Sequence, residues 1–204
     1  MIIPDPASGS QVRGAPVVVR FNSGRGASRQ TSLSGTVVAK FAVRVTKDYL
    51  VFCAAHFITF GGECETLHGH NYRVTVRLEG KIDENYYVFD FVTLKNIARE
   101  ECGRLDHRML LPTENPHLTV EVRDGAVTVR FRDRVYQFPE SDVVLLPVPN
   151  TTAEMLARYL AGRLRGHPLI AAAPNLEVLE VEVEESFGQS ACYREVLREN
   201  DRRE

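Results

Sequence analysis

The chain has 204 residues, enough for one sizeable hydrophobic core, and 44% hydrophobic with 25% charged residues is typical of a globular protein. A formal net charge of −2 gives no reason to expect a nucleic acid or a membrane surface as partner. No apolar run approaches the roughly 20 residues that a membrane-spanning helix needs. The four cysteines lack the paired spacing of a disulfide framework, so we expect a reduced, cytoplasmic setting.

Both ends of the chain are predicted to lie outside the folded domain, which we expect over 36–197. Residues 1–35 are rich in glycine, serine and arginine, and their single acidic residue is Asp5. This composition indicates a flexible basic arm, although transit peptides share it. Residues 198–204 are predicted to form a solvated charged tail.

Strand patterns dominate the domain. Alternate residues are apolar in "TVVAKFAVRV", and the next segment, "DYLVFCAAHF", is apolar throughout and predicts a separate, fully buried strand. A glycine-containing loop precedes a long strand from His68 to about Glu79, and "LEVLEVEVEE" predicts a late strand. Asp124-Gly125 lies between two alternating runs and predicts a hairpin.

Two helices are predicted between these strands. Asp90 can cap a helix over about 92–104, and Thr151 with Glu154 fits a capping box that begins the second helix. Many strands with two intervening helices indicate an α+β protein built on an antiparallel sheet.

Three histidines are candidate metal ligands. His68 and His70 lie two apart in a strand and therefore face the same way, while His56 ends the preceding strand and could reach the same point. Three neutral imidazoles with one open position make a catalytic zinc site. The alternative is that these histidines serve packing or lie at the surface.

Two neighbouring residues in "CETLHGHNY" are candidate bases. A thiolate of Cys64 near zinc could take a proton from carbon, and the carboxylate of Glu65 could take one from a hydroxyl group. Neighbours in an extended chain point apart, so both can serve one site only if this loop is not extended. Otherwise Cys64 is a buried thiol or Glu65 a solvated acid.

Further candidates lie elsewhere in the chain. Asp106 precedes His107, and an acid that orients an imidazole is a common general-base arrangement. Glu185 continues the apolar face of the late strand, so it is either the first loop residue or a buried carboxylate that binds a flat, N–H-rich ligand.

Taken together, the motifs resemble the 6-pyruvoyl-tetrahydropterin synthase family, which includes the 6-carboxy-tetrahydropterin synthases of queuosine biosynthesis. The matching stretches cover most of 40–195 and are "FCAAHF", "CETLHGHNY", "VFDF", "RLDHRML", "NTTAEMLARYL" and "VEESFGQSACY". The resemblance implies a tunnelling fold, in which an antiparallel sheet carries two helices on one face and subunits assemble into a barrel. It further implies a homohexamer with sites between subunits.

The resemblance also implies roles for the residues in these motifs. Zn²⁺ would be held by His56, His68 and His70. Cys64 would be the base, working with Asp106 and His107, while Glu185 would hold the pterin ring with Thr151 and Thr152 nearby.

The implied reaction is the zinc-dependent conversion of 7,8-dihydroneopterin triphosphate to 6-carboxy- or 6-pyruvoyl-tetrahydropterin with loss of triphosphate. This chain departs from the short members by an inserted hairpin at about 112–149, as in apicomplexan-type members, which carry the glutamate without the cysteine. Those members release 6-hydroxymethyl-7,8-dihydropterin for folate synthesis in a retro-aldol reaction, the alternative here, and one protein could catalyse both. A non-catalytic zinc- and pterin-binding protein is the alternative of a different class, although such a protein would need no base.

Overall fold

A six-stranded sheet forms the centre of the protein in the computed structural model, which describes residues 40–198. The predicted arm at 1–35 and nearly all of the predicted tail lie outside the described residues. The strand order is β11-β10-β4-β1-β5-β9. In chain order these strands are β1 (Phe41–His56), β4 (His68–Gly80), β5 (Arg108–Pro112), β9 (Val143–Leu146), β10 (Leu176–Ser186) and β11 (Gln189–Val196).

The α+β class is confirmed, but the sheet is mixed rather than antiparallel. β1 pairs with β5, and β5 with β9, in parallel orientation, while the pairs β1–β4, β4–β10 and β10–β11 are antiparallel. Parallel neighbours need a long crossover connection, and the inserted segment provides it between β5 and β9. The assembly of subunits into a barrel stays a prediction.

The first strand is one continuous element and not the two predicted strands. Its pairing with β4 is interrupted, since five steps along β1 from Thr46 to Val51 oppose two steps along β4. This bulge flips the alternation, so that Val45 is buried before it and Phe52 after it on the same face. The flip explains why the two apolar patterns differ in parity.

Helices α1 (Phe91–Leu105) and α2 (Ala153–Arg165) pack on one face of the sheet and share its main core, and a short α3 (Pro168–Ala171) follows. The Asp90 carboxylate caps α1 by accepting from Thr93 N at 2.6 Å, as predicted. The predicted capping box of α2 is wrong by one residue. Thr152 is the cap and accepts from Met155 N, because the Thr151 side chain is buried and bonds elsewhere.

Two small sheets complete the described residues. β2 (Thr59–Phe60) and β3 (Glu63–Cys64) form a tight hairpin through Gly61 and Gly62, which both adopt positive φ values. The inserted segment forms a three-stranded antiparallel sheet, here called the inserted sheet. Its strands are β6 (Thr119–Arg123), β7 (Ala126–Phe131) and β8 (Arg134–Pro139), and a 3-10 turn at Glu140–Asp142 leads into β9.

The inserted sheet covers a second hydrophobic core, separate from the main one. Buried residues from β7 meet others from the end of β1, the β2–β3 hairpin and β5 there. These residues are Phe57, Cys64, Met109, Leu111, Val127, Val129 and Phe131. Within the described part of the chain, no helix has the length and apolar character needed to cross a membrane.

Candidate functional site

The three predicted histidines meet where β1 ends and β4 begins. Antiparallel pairing places His56 opposite His68 and Ala54 opposite His70, so all three imidazoles project from the same face. One nitrogen of each ring lies within 4.8 Å of the others. His56 is buried, His70 is partly buried and His68 is the most exposed.

The hydrogen bonds of two rings fix which nitrogen carries the proton. His56 Nδ1 donates to Thr151 O at 2.9 Å, and His68 Nδ1 donates to Thr66 O at 2.7 Å. Both Nε2 atoms therefore carry lone pairs when the rings are neutral, yet they lie only 3.1 Å apart. Burial lowers the pKa of His56, which favours its neutral form.

The Nε2 atom of His70 is buried and has no hydrogen-bond partner among the described residues. Two facing lone pairs and a third unpaired nitrogen are unfavourable in a protein interior unless a cation lies between them. Backbone carbonyls that orient the ligand imidazoles are usual around metal ions. The residues therefore fit a metal ion held by His56, His68 and His70.

A pocket of about 460 Å³ opens beside the histidines, a volume suited to a small molecule. Residues from β1, β4, the start of α2 and the β10–β11 turn surround it. They are His56, Ile58, Glu65, His68, His70, Thr152, Ala153, Glu154, Glu185, Gln189, Ser190 and Ala191. Three predicted site residues outside the histidine group, Glu65, Thr152 and Glu185, thus line the same cavity.

The Glu185 carboxylate lines this pocket beside two of the histidines. Its Oε1 atom is 3.5 Å from His56 Nε2 and 3.8 Å from His70 Nε2. Tyr72 donates its hydroxyl hydrogen to the same oxygen at 3.4 Å. Burial, together with the Glu185 charge, raises the pKa of Tyr72, so this tyrosine remains a donor. We did not predict Tyr72, although its parity in β4 matches that of His68 and His70.

Cys64 and Glu65 are neighbours at the end of the β2–β3 hairpin, but their side chains lie in different surroundings. β3 ends at Cys64, and the carbonyl oxygens of both residues accept from the same Arg134 Nη1 atom, so the chain leaves the regular strand here. Glu65 faces the pocket, with Oε2 4.0 Å from His68 Nε2. Cys64 is 8% exposed and packs in the second core, where its burial raises the pKa of the thiol and the nearby Arg134 only partly offsets that rise.

The two threonines also differ in position. Thr152 lines the pocket as the cap of α2. Thr151 is fully buried, and its hydroxyl group donates to Phe57 O at 3.1 Å while its own carbonyl oxygen holds His56. In the structure Thr151 thus contacts a candidate metal ligand, and Thr152 faces the space that a substrate would fill.

Asp106 and His107 form a pair outside this pocket. Asp106 Oδ2 accepts from His107 Nδ1 at 2.9 Å, and Asp106 Oδ1 accepts from Cys53 N at 2.7 Å. The hydrogen bond from Cys53 N holds the pKa of Asp106 below its usual range. The pair is attached to β1 three residues before His56, and the His107 side chain is 82% exposed.

The protein has an α+β fold in which three imidazoles converge beside a pocket that suits a small molecule. These features define a protein with a candidate metal centre for small-molecule chemistry. Residues 44–196 match the family model of 6-pyruvoyl tetrahydropterin synthase. The chain belongs to this enzyme family, which confirms the resemblance predicted from the sequence.

Individual relatives are similar over half or more of their length. A protein of Methanocaldococcus jannaschii that is assigned as a 6-carboxy-5,6,7,8-tetrahydropterin synthase is 38% identical over 72% of this chain and 91% of its own. A solved Plasmodium vivax 6-pyruvoyltetrahydropterin synthase, in which a catalytic glutamate is replaced by alanine, is 32% identical with a TM-score of 0.72 over 78% of this chain and 99% of its own. A dihydroneopterin monophosphate aldolase of Pyrococcus furiosus is 42% identical over 29% of this chain and 50% of its own.

Proposed function

We propose that this protein is a zinc-dependent pterin lyase that cleaves the side chain of a 7,8-dihydroneopterin derivative, with Glu65 as the base. The observation that carries the proposal is the orientation of two neighbours. Glu65 lines the pocket beside the histidines, while the Cys64 thiol is buried in the second core on the other side of the chain.

The metal would be held by His56, His68 and His70. Three imidazoles with an open position suit catalytic Zn²⁺, and the hydrogen bonds to Thr151 and Thr66 orient two of the rings. When bound, zinc acts as a Lewis acid that polarises and acidifies hydroxyl groups of the substrate side chain.

Glu185 would bind the pterin ring. A dihydropterin presents adjacent N–H groups from its amino group and ring nitrogen, and a carboxylate can accept both hydrogens in bidentate fashion. The hydroxyl group of Tyr72 holds the Glu185 carboxylate from the sheet side. Since 29% of the Glu185 side chain is exposed, part of the carboxylate remains available to a ligand.

Glu65 would take the proton from the hydroxyl group on C2′ of the substrate. The electrons of that O–H bond form a C2′ carbonyl group as the C1′–C2′ bond breaks. The electron pair of the broken bond passes to C1′, where conjugation with the dihydropterin ring stabilises it. The protonated Glu65 then gives its proton to C1′, which yields 6-hydroxymethyl-7,8-dihydropterin with an aldehyde fragment and restores the carboxylate.

The second candidate is the conversion of 7,8-dihydroneopterin triphosphate to 6-carboxy- or 6-pyruvoyl-tetrahydropterin with Cys64 as the base. It is favoured by the 38% identity with the Methanocaldococcus jannaschii protein, which extends over 91% of that protein. In this reaction the thiol would have to leave the second core and reach the pocket. The same chain cannot present both side chains to one cavity in the conformation described here.

The resemblance implies a homohexamer with sites between subunits. In such an assembly Asp106 and His107 would have a catalytic role. The pair is preformed but exposed, and it lies outside the pocket of its own chain. A neighbouring subunit could present it to the pocket as a proton donor or acceptor. We further propose that the protein works in the cytoplasm, where its four free cysteines would stay reduced.

Product analysis tests the proposal directly. The purified zinc-loaded protein would be incubated separately with 7,8-dihydroneopterin, its monophosphate and its triphosphate, and the pterins would be separated chromatographically. We expect 6-hydroxymethyl-7,8-dihydropterin as the main product. A 6-carboxy- or 6-pyruvoyl-tetrahydropterin as the main product would favour the second candidate, and tight pterin binding without any product would favour a non-catalytic binding protein.

A further inference from the structure

Arg134, the first residue of β8 in the inserted sheet, holds the end of the β2–β3 hairpin. Its Nη1 atom donates to Cys64 O at 2.6 Å and to Glu65 O at 3.2 Å. These are the main-chain carbonyl oxygens of the two candidate bases. Because both bonds come from one rigid, charged guanidinium group, they restrain the backbone direction at both residues together.

A second arginine of the same turn holds the other end of the hairpin loop. Arg132 Nη2 donates to Gly62 O at 2.6 Å, and Arg132 Nη1 lies 3.5 Å from Glu63 Oε1. Arg132 itself has a φ of +53°, a left-handed conformation that is uncommon for a residue with a side chain. The two arginines therefore contact the hairpin at three main-chain carbonyl groups, those of Gly62, Cys64 and Glu65.

The backbone direction at this point decides which side chain faces the pocket. Glu65 lines the pocket while its neighbour Cys64 is buried in the second core, so turning the backbone to bring the thiol to the histidines would take the carboxylate out of the pocket. The Cys64 side chain lies in the same buried cluster as Val127 and Val129 of the inserted sheet. The same sheet therefore both orients the hairpin and receives the thiol.

We infer that Arg134 is a positioning residue through which the inserted sheet keeps Glu65 in the pocket and Cys64 out of it. The inference rests on the proposed function, because it assumes that Glu65 is the base. It adds a determinant of the reaction outside the motifs that surround the histidines. Arg134 contacts none of the histidines and is not among the residues that line the pocket, so it acts through the hairpin, by bonds to its main chain and by its proximity to the Cys64 thiol.

The experiment compares wild type with Arg134→Ala, Arg134→Lys and the control Arg130→Ala. Arg130 is exposed on β7 of the same sheet, and its side chain makes no hydrogen bond or ion pair among the described residues. The first measurement is the rate at which iodoacetamide labels Cys64, read by peptide mass spectrometry. Cys102 is the internal control, since it is 1% exposed in the main core and burial raises its pKa to about 12.

We expect Arg134→Ala to speed labelling of Cys64 by roughly 10- to 100-fold at equal thiolate fraction, the factor that corresponds to losing a hydrogen bond from a charged donor. The thiolate fraction is taken from the pH dependence of each rate, because the Arg134 cation also lowers the pKa of the thiol. Cys102 should keep its slow rate, because the main core is untouched. Arg134→Lys should lie between the two, since a lysine can replace one of the two bonds. Equal acceleration at Cys64 and Cys102 would mean general unfolding and would overturn the inference, as would an unchanged rate at Cys64.

The second measurement is steady-state kinetics with bound metal quantified. In Arg134→Ala, kcat for release of 6-hydroxymethyl-7,8-dihydropterin should fall about 10-fold or more, the range expected when a catalytic group is displaced. KM and metal content should change little, because Glu185 and the histidines stay in place. If wild type releases none of this product, the proposed function fails, but the labelling experiment still decides whether Arg134 orients the hairpin.

Discussion

The neighbours Cys64 and Glu65 give the sharpest prediction, because the structure assigns them opposite surroundings. We expect Glu65→Gln to lower kcat for 6-hydroxymethyl-7,8-dihydropterin release by about 10²–10⁴-fold, the usual contribution of a positioned base. That factor equals roughly 3–5 kcal/mol in activation free energy. The substitution keeps the shape of the side chain, and since a third of that side chain is already exposed, the free energy of unfolding should hardly change.

Cys64→Ala should have the opposite effect, in that it lowers the stability of the protein but leaves kcat unchanged. The sulfur atom is buried among apolar side chains of the second core, so its removal loses one buried heavy atom and leaves a small void. That loss is comparable to deleting one methylene group and should cost about 1 kcal/mol. For a domain of this size, the melting temperature should fall by about 2–4 °C. The value of kcat should be unchanged, because the thiol lies outside the pocket.

The assay combines product chromatography with thermal unfolding of the wild type and both variants, with metal content measured for each. Any 6-carboxy- or 6-pyruvoyl-tetrahydropterin is quantified in the same samples, since formation of these products is the reaction that would depend on Cys64. If Cys64→Ala abolished the hydroxymethyl product while retaining its metal and its stability, the reasoning from burial would be refuted. Full activity of Glu65→Gln would refute the assignment of the base.

Two further predictions concern the metal and the ring-binding carboxylate. By elemental analysis we expect about one zinc ion per chain in the wild type and most of it to be lost in His70→Ala, because two imidazoles cannot replace three. Full retention of the metal in this variant would contradict the metal site. Glu185→Gln should weaken substrate binding by roughly 2–5 kcal/mol in a direct titration, because a charged partner of the ligand is lost. Its metal content should stay unchanged, and metal loss would instead identify Glu185 as a fourth ligand.

Much of the site follows from local geometry and was predictable from the sequence. The period of two in a strand places His68 and His70 on one face, and strand pairing brings the end of the preceding strand to them. The same alternation correctly assigned the buried face of β10, where Val181 and Val183 are fully buried. These features depend only on residues near one another in the chain or on simple antiparallel pairing.

Other features depend on contacts between distant parts of the chain and left no local pattern. The bulge in β1 changes the parity of the strand without a glycine or proline to mark it. The cap of α2 moves to Thr152 because Thr151 is needed by Phe57 and His56, which lie more than ninety residues away. The parallel pairing of β5 and β9 depends on how the inserted sheet packs, which hydrophobic alternation does not encode.

Which of Cys64 and Glu65 faces the pocket also depends on such distant contacts. The two side chains differ in what their burial costs. A thiol tolerates an apolar core well, whereas an ionised carboxylate in the same core would lack partners and cost several kcal/mol. Turning the hairpin so that Cys64 faced the histidines would drive Glu65 into the second core and break both bonds from Arg134. With the inserted sheet in place, one orientation of the hairpin is therefore favoured. It is the orientation that places the Glu65 carboxylate in the pocket and the Cys64 thiol in the second core.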